Sequence, residues 1–214
     1  MATLPHPTLA FVTDRTRTKG RPLADVVDAA VDGGVELVQL REKDLSHPEL
    51  LTLTRELKSV IAGRALFFVN GDVDAALACG ADGVQLGESG ASIAGVRAKS
   101  GGLLIGRSVH SVEAAVKAEG QGADLLIAGT VFPSASHRSE PFQGVGLIER
   151  IAARVSVPVL GIGGVNADNA ASVIEAGAWG CAVITAISLA DDPRGAARDL
   201  KAAMLAAKPG VRTA

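Results

Sequence analysis

The sequence predicts an α/β fold, a single (β/α)8 TIM barrel, from two observations. Eight short apolar runs follow one another along the 214 residues, and an Ala-rich helical pattern separates each run from the next. Continuous apolar runs are typical of parallel strands that helices cover. Eight such units in a chain of this length favour a closed barrel over an open sheet. We therefore expect one domain over 1–214, with 208–214 as a frayed tail.

The predicted strands begin at intervals of roughly 20 to 30 residues along the chain. They cover residues 9–13, 37–40, 65–70, 83–87, 103–109, 125–131, 157–161 and 181–186. The helices between them end at glycine in four similar segments, DAAVDGG, ALACGADG, KAEGQGAD and IEAGAWG. Glycine is favoured there because the residue after a helix often takes a left-handed conformation. The four segments therefore predict helix-to-strand turns.

Composition excludes several classes of protein. Aromatic residues make up 3% of the chain, the net charge is −2, and no run of Lys or Arg occurs, so we expect no nucleic-acid and no membrane partner. Cys79 and Cys181 form no CxxC motif, and with four His they predict no zinc site. Buried free thiols and the absence of an apolar signal core at the N-terminus lead us to expect a cytoplasmic protein. The oligomeric state stays open between a monomer and a homodimer.

In a barrel of this class the functional residues lie in the loops that follow the strands. After the second strand, alternation directs Gln39 and Arg41 into the barrel mouth, with Lys43 beyond them. Such a charged cluster suits a charged ligand, and the alternative is an ion-pair network that closes the barrel end. After the third strand, Asn70 is a further candidate for substrate binding. The alternative there is a local role beside Asp72, which could cap the next helix.

The fifth predicted strand ends in Arg107, Ser108 and His110, and we expect all three at the substrate. A histidine at a strand tip is well placed for proton transfer, because its pKa lies near the working pH. The alternative is a ring that bonds to the backbone of the next loop. Ser111 is expected to cap the following helix.

The longest loop, residues 132–144, follows the sixth strand and predicts a lid or binding loop. Ser134, Ser136 and His137 are its candidate substrate contacts, and the alternative is an ordinary surface excursion. The loops after strands seven and eight predict a phosphate site, as is usual in these barrels. Its residues would be Gly163, Gly164, Ile184, Thr185 and Ala186.

Six segments together carry a resemblance to a known family: VQLREKD, FVNGDVDAALACGADGVQLGE, IGRSVHS, GTVFPS, PVLGIGGV and GCAVITAI. They resemble the thiamine phosphate synthase superfamily over nearly the whole chain. The resemblance implies a barrel that handles a thiazole phosphate. One branch is the synthase, which joins a pyrimidine diphosphate to the thiazole phosphate with Mg²⁺. The other is a thiazole tautomerase, an isomerase that aromatises the thiazole phosphate carboxylate.

Departures from the synthase pattern favour the tautomerase branch. The two positions where the synthase carries magnesium-binding Asp are Gly71 and Gly90 here, and a Thr-x-Thr-Lys run reads Ser134-Ala-Ser-His137. Gln39, Arg41, Lys43 and Asn70 nevertheless remain synthase-like. We therefore expect a tautomerase without a cofactor, in which His110 transfers the proton, and Mg²⁺ only if the chain is a synthase. A non-catalytic barrel that binds a metabolite is the third alternative.

Overall fold

The computed structural model describes residues 4–133 and 142–208, and over these ranges it is a closed barrel of eight parallel strands. Each strand pairs with the next one along the chain, and the eighth pairs with the first. The strands are β1 (Thr8–Val12), β2 (Leu37–Leu40), β3 (Leu66–Asn70), β4 (Gly83–Leu86), β5 (Leu104–Val109), β6 (Leu125–Gly129), β7 (Val159–Ile162) and β8 (Gly180–Val183). The predicted fold class is confirmed.

Helices follow the strands and cover the outside of the barrel. They are α1 (Leu23–Asp32), α2 (His47–Ile61), α3 (Val73–Ala78), α4 (Ile93–Ser100), α5 (Val112–Gly120), α6 (Val145–Ala152), α7 (Ala170–Glu175), α8 (Thr185–Ser188) and α9 (Pro193–Ala206). A short 3-10 turn, Arg15–Arg17, lies in the first loop. Of the helices in the described part of the chain, none is long and apolar enough to cross a membrane.

Alternation along the strands divides the core into two layers. Phe11, Val38 and Leu40 belong to the large cluster between the strands and the helices. Val12 and Phe68 belong to a second, smaller cluster inside the barrel. Because successive side chains of a strand point to opposite faces, one apolar strand supplies both layers. This double burial explains why the strands appear as continuous apolar runs in the sequence.

The eighth strand is shorter than the sequence predicts. Residues 181–186 were expected as one strand, but β8 ends at Val183 and α8 begins at Thr185. The apolar run therefore continues across a strand-to-helix junction, which periodicity over six residues does not resolve. The consequence for the site is that Thr185, the first residue of α8, lies at the barrel mouth.

Two of the predicted helix caps are confirmed. The Ser111 hydroxyl accepts a hydrogen bond from the backbone N–H of Ala114 at 3.1 Å and caps α5. The Asp72 carboxylate accepts from the backbone N–H of Ala75 at 2.8 Å and caps α3. Cys79 and Cys181 are both free, and burial raises the pKa of the Cys181 thiol to about 12. Cys181 is thus an unreactive part of the core, whereas Cys79 is only partly buried.

Candidate active site

A cavity of about 310 Å³ opens at the carboxyl ends of the strands. Ten of the residues predicted for the site line it: Gln39, Arg41, Lys43, Asn70, Ser108, His110, Gly163, Gly164, Ile184 and Thr185. Ala186 and Arg107 are not among its lining residues. Ser134, Ser136 and His137 lie outside the described residues, so their predicted substrate contacts stay predictions. The topology therefore brings the loops after β2, β3, β5, β7 and β8 to one mouth.

The side of the mouth formed by the loop after β2 carries two cationic side chains, Arg41 and Lys43. Arg41 is half-buried and Lys43 is exposed, and neither side chain has a hydrogen bond or ion pair within residues 4–133 and 142–208. The backbone N–H of Arg41 donates to the Thr13 hydroxyl at 3.0 Å, which fixes the start of the loop. The two side chains are therefore available to an anionic ligand.

The ion-pair network considered as the alternative for this loop exists, but it uses other residues. Arg15 contacts Asp44 at 2.7 Å and Glu42 at 3.6 Å. Glu42 also accepts from the Thr13 hydroxyl at 2.7 Å, and burial raises the pKa of its carboxyl group. Glu42 thus points away from the mouth and organises the loop after β1. The network does not include Arg41 or Lys43.

Two glutamines, Gln39 on β2 and Gln85 on β4, add buried amides to the site. The side-chain oxygen of each is buried and has no hydrogen-bond partner in the described structure. The Gln85 amide donates to the Ser108 hydroxyl at 3.1 Å, so it positions a residue of the mouth from below. Gln39 itself lines the cavity. An unpaired buried oxygen costs stability, and a ligand donor would satisfy the one on Gln39.

Asn70 and Asp72 divide the two roles that the sequence left open for them. Asn70, at the end of β3, lines the cavity. Asp72 caps α3 and bonds to the His47 ring nitrogen Nδ1 at 2.6 Å, outside the cavity lining. The local interpretation therefore holds for Asp72 and not for Asn70.

His110 is paired with the Glu88 carboxylate, a contact that was not predicted from the sequence. Its ring nitrogen Nδ1 lies 2.5 Å from Oε2 of Glu88, which follows β4 and also lines the cavity. The backbone carbonyl of His110 accepts from the Gln143 amide at 2.8 Å. Within the described residues the ring thus bonds to a side chain, and the bond from the ring to the backbone of the next loop, given as the alternative, is not found there. Parallel neighbouring strands end at the same edge, and this was the signal that could have suggested the pair.

The prediction that Arg107 contacts the substrate is not met. Its guanidinium is buried and donates to the backbone carbonyl groups of Gly87 at 2.5 Å and Ala91 at 2.7 Å. On β5 the side chain of Ser108 faces the cavity, so alternation turns Arg107 to the opposite face. Burial lowers the pKa of the Arg107 guanidinium. Arg107 therefore holds the loop that carries Glu88.

The glycines after β7 form a turn that no other residue could make. Gly163 and Gly164 have φ values of 103° and 64°. A Cβ at Gly164 would lie 2.5 Å from the Pro133 carbonyl oxygen, and one at Gly163 would lie 2.5 Å from the Thr130 methyl group. Asn169 donates to the Gly164 carbonyl at 3.0 Å and fixes the turn. Any side chain at Gly164 would disturb the fold, so a substitution there does not isolate ligand binding from stability.

The mouth offers few carboxylates to a metal ion. The two positions at which the synthase pattern carries Asp are Gly71 and Gly90 in this chain. Within residues 4–133 and 142–208, no three side chains of His, Cys, Asp or Glu come close enough together to hold a metal ion. Mg²⁺ usually keeps several waters and is bound by one or two carboxylates together with the phosphates of the substrate. Among the lining residues that the structure describes, Glu88 is the one acidic side chain.

Comparisons with known proteins agree on one family. The family model described as thiamine monophosphate synthase matches residues 9–187. The thiamine-phosphate synthase of Natronomonas pharaonis is 41% identical, covering 94% of this chain and 96% of that protein. The thiamine-phosphate synthase of Bacillus velezensis is 39% identical, covering 94% of this chain and 92% of that protein.

Solved structures give the same result. A thiamine phosphate pyrophosphorylase from Pyrococcus furiosus superimposes with a TM-score of 0.86 at 38% identity, covering 93% of this chain and 96% of that one. A 3-hexulose-6-phosphate synthase superimposes with a TM-score of 0.68 at 22% identity and shares the fold alone. The expectation of a thiazole tautomerase, and hence of an isomerase, is contradicted by these relatives, which are named as synthases.

Proposed function

Because this chain belongs to the thiamine monophosphate synthase family, we propose that it joins a pyrimidine, supplied as its diphosphate, to a thiazole phosphate. The observation that supports this most is the identity of about 40% to synthases over nearly their whole length. The residues of the barrel mouth also suit two phosphorylated substrates. Gly163 and Gly164 lie on one side of the cavity, and the cationic side chains of Arg41 and Lys43 lie on the other. The function is thus a transferase reaction between two phosphorylated small molecules.

The thiazole phosphate would bind at the ends of β7 and β8. Gly163 and Gly164 allow the backbone to approach an anion closely, because they carry no side chain. Thr185 and Ala186 open α8, where the first backbone N–H groups have no acceptor within the helix. Ile184 completes the wall. Backbone N–H groups are the usual phosphate ligands in this part of a barrel.

The pyrimidine diphosphate would bind on the opposite side, along β2, β3 and β5. Gln39 and Asn70 offer amides for the polar edge of the ring, and Ser108 a hydroxyl. Arg41 and Lys43 would take the diphosphate, since their charges are not compensated by a carboxylate of the described chain.

The reaction needs two bond changes. The thiazole nitrogen attacks the methylene carbon of the pyrimidine, and a C–N bond forms. The C–O bond between that carbon and the diphosphate breaks, and the diphosphate leaves with the electron pair. Negative charge therefore accumulates on the leaving group, where cations in a partly desolvated site are most effective. The barrel also holds the two reactants together, which replaces an encounter in solution by a reaction within one complex.

Turnover of the two substrates by the purified protein tests the proposal. We expect equimolar release of the joined product and inorganic diphosphate, measured by chromatography and a coupled diphosphate assay. Binding of both substrates without turnover would instead indicate the non-catalytic barrel. Failure to bind either substrate would remove the family function from this chain.

The phosphate cradle can be tested by charge alone. We expect Thr185→Asp to weaken binding of the thiazole phosphate by about 100-fold or more, because like charges placed together cost several kcal/mol. Asparagine has nearly the same shape as aspartate but no charge, so Thr185→Asn should lower the affinity for the thiazole phosphate by about tenfold or less. Isothermal titration calorimetry with the thiazole phosphate measures both variants. Equal losses in the two variants would mean that the phosphate does not lie at α8.

A further inference from the structure

We propose that this chain binds its diphosphate through its own cationic side chains, Arg41 and Lys43 together with His110, and without a resident divalent cation. The inference rests on the proposed function for the identity of the ligand. It departs from the synthase pattern at the two positions of the magnesium-binding Asp, which are Gly71 and Gly90 in this chain. Four observations lead to it: the missing carboxylates, the engagement of the remaining ones, the unpaired cations and the arrangement of His110.

The first observation is the backbone at the two glycines. Gly71 has a φ of 77°, a conformation that side-chain-bearing residues rarely adopt, and it directly follows Asn70 at the end of β3. At Gly90, a Cβ would come within 3.0 Å of the Gly87 carbonyl oxygen. The backbone thus favours glycine at position 71, and at position 90 a side chain would be tight against the Gly87 carbonyl. The loops after β3 and β4 therefore present no carboxylate at positions 71 and 90.

The second observation is that the nearby acids already have partners. Asp72 caps α3 and bonds to His47. Asp74 contacts the Lys99 ammonium at 2.6 Å on the surface beside the mouth. Glu88 is bonded to His110. Recruiting any of them to a metal would break an existing cap or ion pair, and Glu88 is the only one of the three that lines the cavity.

The third observation is the charge balance of the cavity wall. Arg41, Lys43, His110 and Glu88 are the titratable side chains among its lining residues in the described structure. Two permanent cations therefore face one carboxylate, and that carboxylate is occupied by the imidazole. An unliganded mouth of this kind carries excess positive charge in a concave site, which attracts polyanions. Adding a divalent cation to it would increase the repulsion.

The fourth observation concerns His110. Because the Glu88 carboxylate can only accept, Nδ1 of the ring carries the hydrogen of that bond. Nε2 has no partner in the part of the chain that the structure describes. When the ring is protonated, Nε2 donates to a phosphate oxygen, and the bond to Glu88 holds the ring in that orientation. His110 would then contact the leaving diphosphate as a third cation.

The test measures binding of inorganic diphosphate, so it does not depend on turnover. We expect the dissociation constant in EDTA and in excess Mg²⁺ to differ by less than about threefold, whereas a metal-dependent site would lose at least about 100-fold in EDTA. Lys43→Met should weaken binding in EDTA by about tenfold. Lys117→Met is the matched control, because Lys117 is exposed on α5 away from the cavity, and it should bind as the parent does.

The outcomes separate the two proposals. Metal-free binding of diphosphate without turnover would overturn the proposed function and support this inference. Turnover and diphosphate binding that both disappear in EDTA and return with Mg²⁺ would overturn this inference and support the function. Absence of diphosphate binding under both conditions, or equal losses in Lys43→Met and Lys117→Met, would also overturn it.

Discussion

Replacing Arg41 by methionine is expected to lower kcat/KM of the transfer reaction by about 10²- to 10³-fold. Arg41 lines the mouth next to the proposed diphosphate site, and none of the carboxylates that the structure describes neutralises it. Removing one hydrogen-bond donor that stabilises the charge developing in the transition state typically lowers the rate of an enzyme by this factor. Methionine keeps most of the aliphatic volume, so the thermal midpoint should change little. Steady-state kinetics with both substrates and a thermal melt make the measurement.

Two further variants decide whether the Arg41 effect comes from its position. Arg55→Met removes an equal charge from the exposed outer face of α2 and should leave kcat/KM within about twofold. Arg41→Lys keeps the charge but loses the bidentate geometry, so its activity should lie between the two. If Arg41→Met and Arg55→Met were equally active, Arg41 would have no part in binding the diphosphate.

The fold could be predicted from the sequence because a parallel barrel repeats the same strand-and-helix pattern along the chain. Strands such as β2 are buried on both faces, and helices such as α5 end in a glycine-containing turn, so the pattern repeats with each unit. The pattern failed at β8, where the apolar run 181–186 continues from strand into α8. Hydrophobicity alone does not distinguish those two conformations over so few residues.

The site was only partly accessible to the same reasoning. Alternation placed Gln39 and Arg41 correctly, because their strand is regular up to the mouth. The prediction for Arg107 was wrong, because the next residue on β5, Ser108, faces the cavity and the Arg107 side chain lies on the other side of the strand. The contact between Glu88 and His110 joins two loops 22 residues apart, and such a pair depends on loop conformations that a single sequence does not reveal.

The choice of branch failed for a related reason. Gly71 and Gly90 are real departures from the synthase pattern, and the expectation of a tautomerase rested largely on them. The relatives named as synthases are nevertheless about 40% identical over nearly their whole length. Loop residues change more readily than a barrel core, so single loop positions carry less weight than the whole chain. The same two glycines instead support the proposal that cationic side chains neutralise the diphosphate.

Replacing His110 by asparagine should lower kcat at saturating substrate by about 100-fold, which corresponds to about 2.7 kcal/mol of transition-state stabilisation. The imidazole is bonded to Glu88 through Nδ1 and would donate from Nε2 to the departing diphosphate. Asparagine can still bond to Glu88 but does not carry the positive charge. Because that charge matters most when the C–O bond breaks, kcat should fall more than the affinity for either substrate.

The chain supplies a closely matched control in His47. His47 and His110 are both about half exposed, and both bond through Nδ1 to a carboxylate, at 2.6 Å to Asp72 and at 2.5 Å to Glu88. Only the second pair lines the cavity. His47→Asn should therefore keep kcat within about twofold, since it removes an equivalent surface pair. A full rate in His110→Asn, or equal losses in the two variants, would show that the Glu88–His110 pair only stabilises the loops of the mouth.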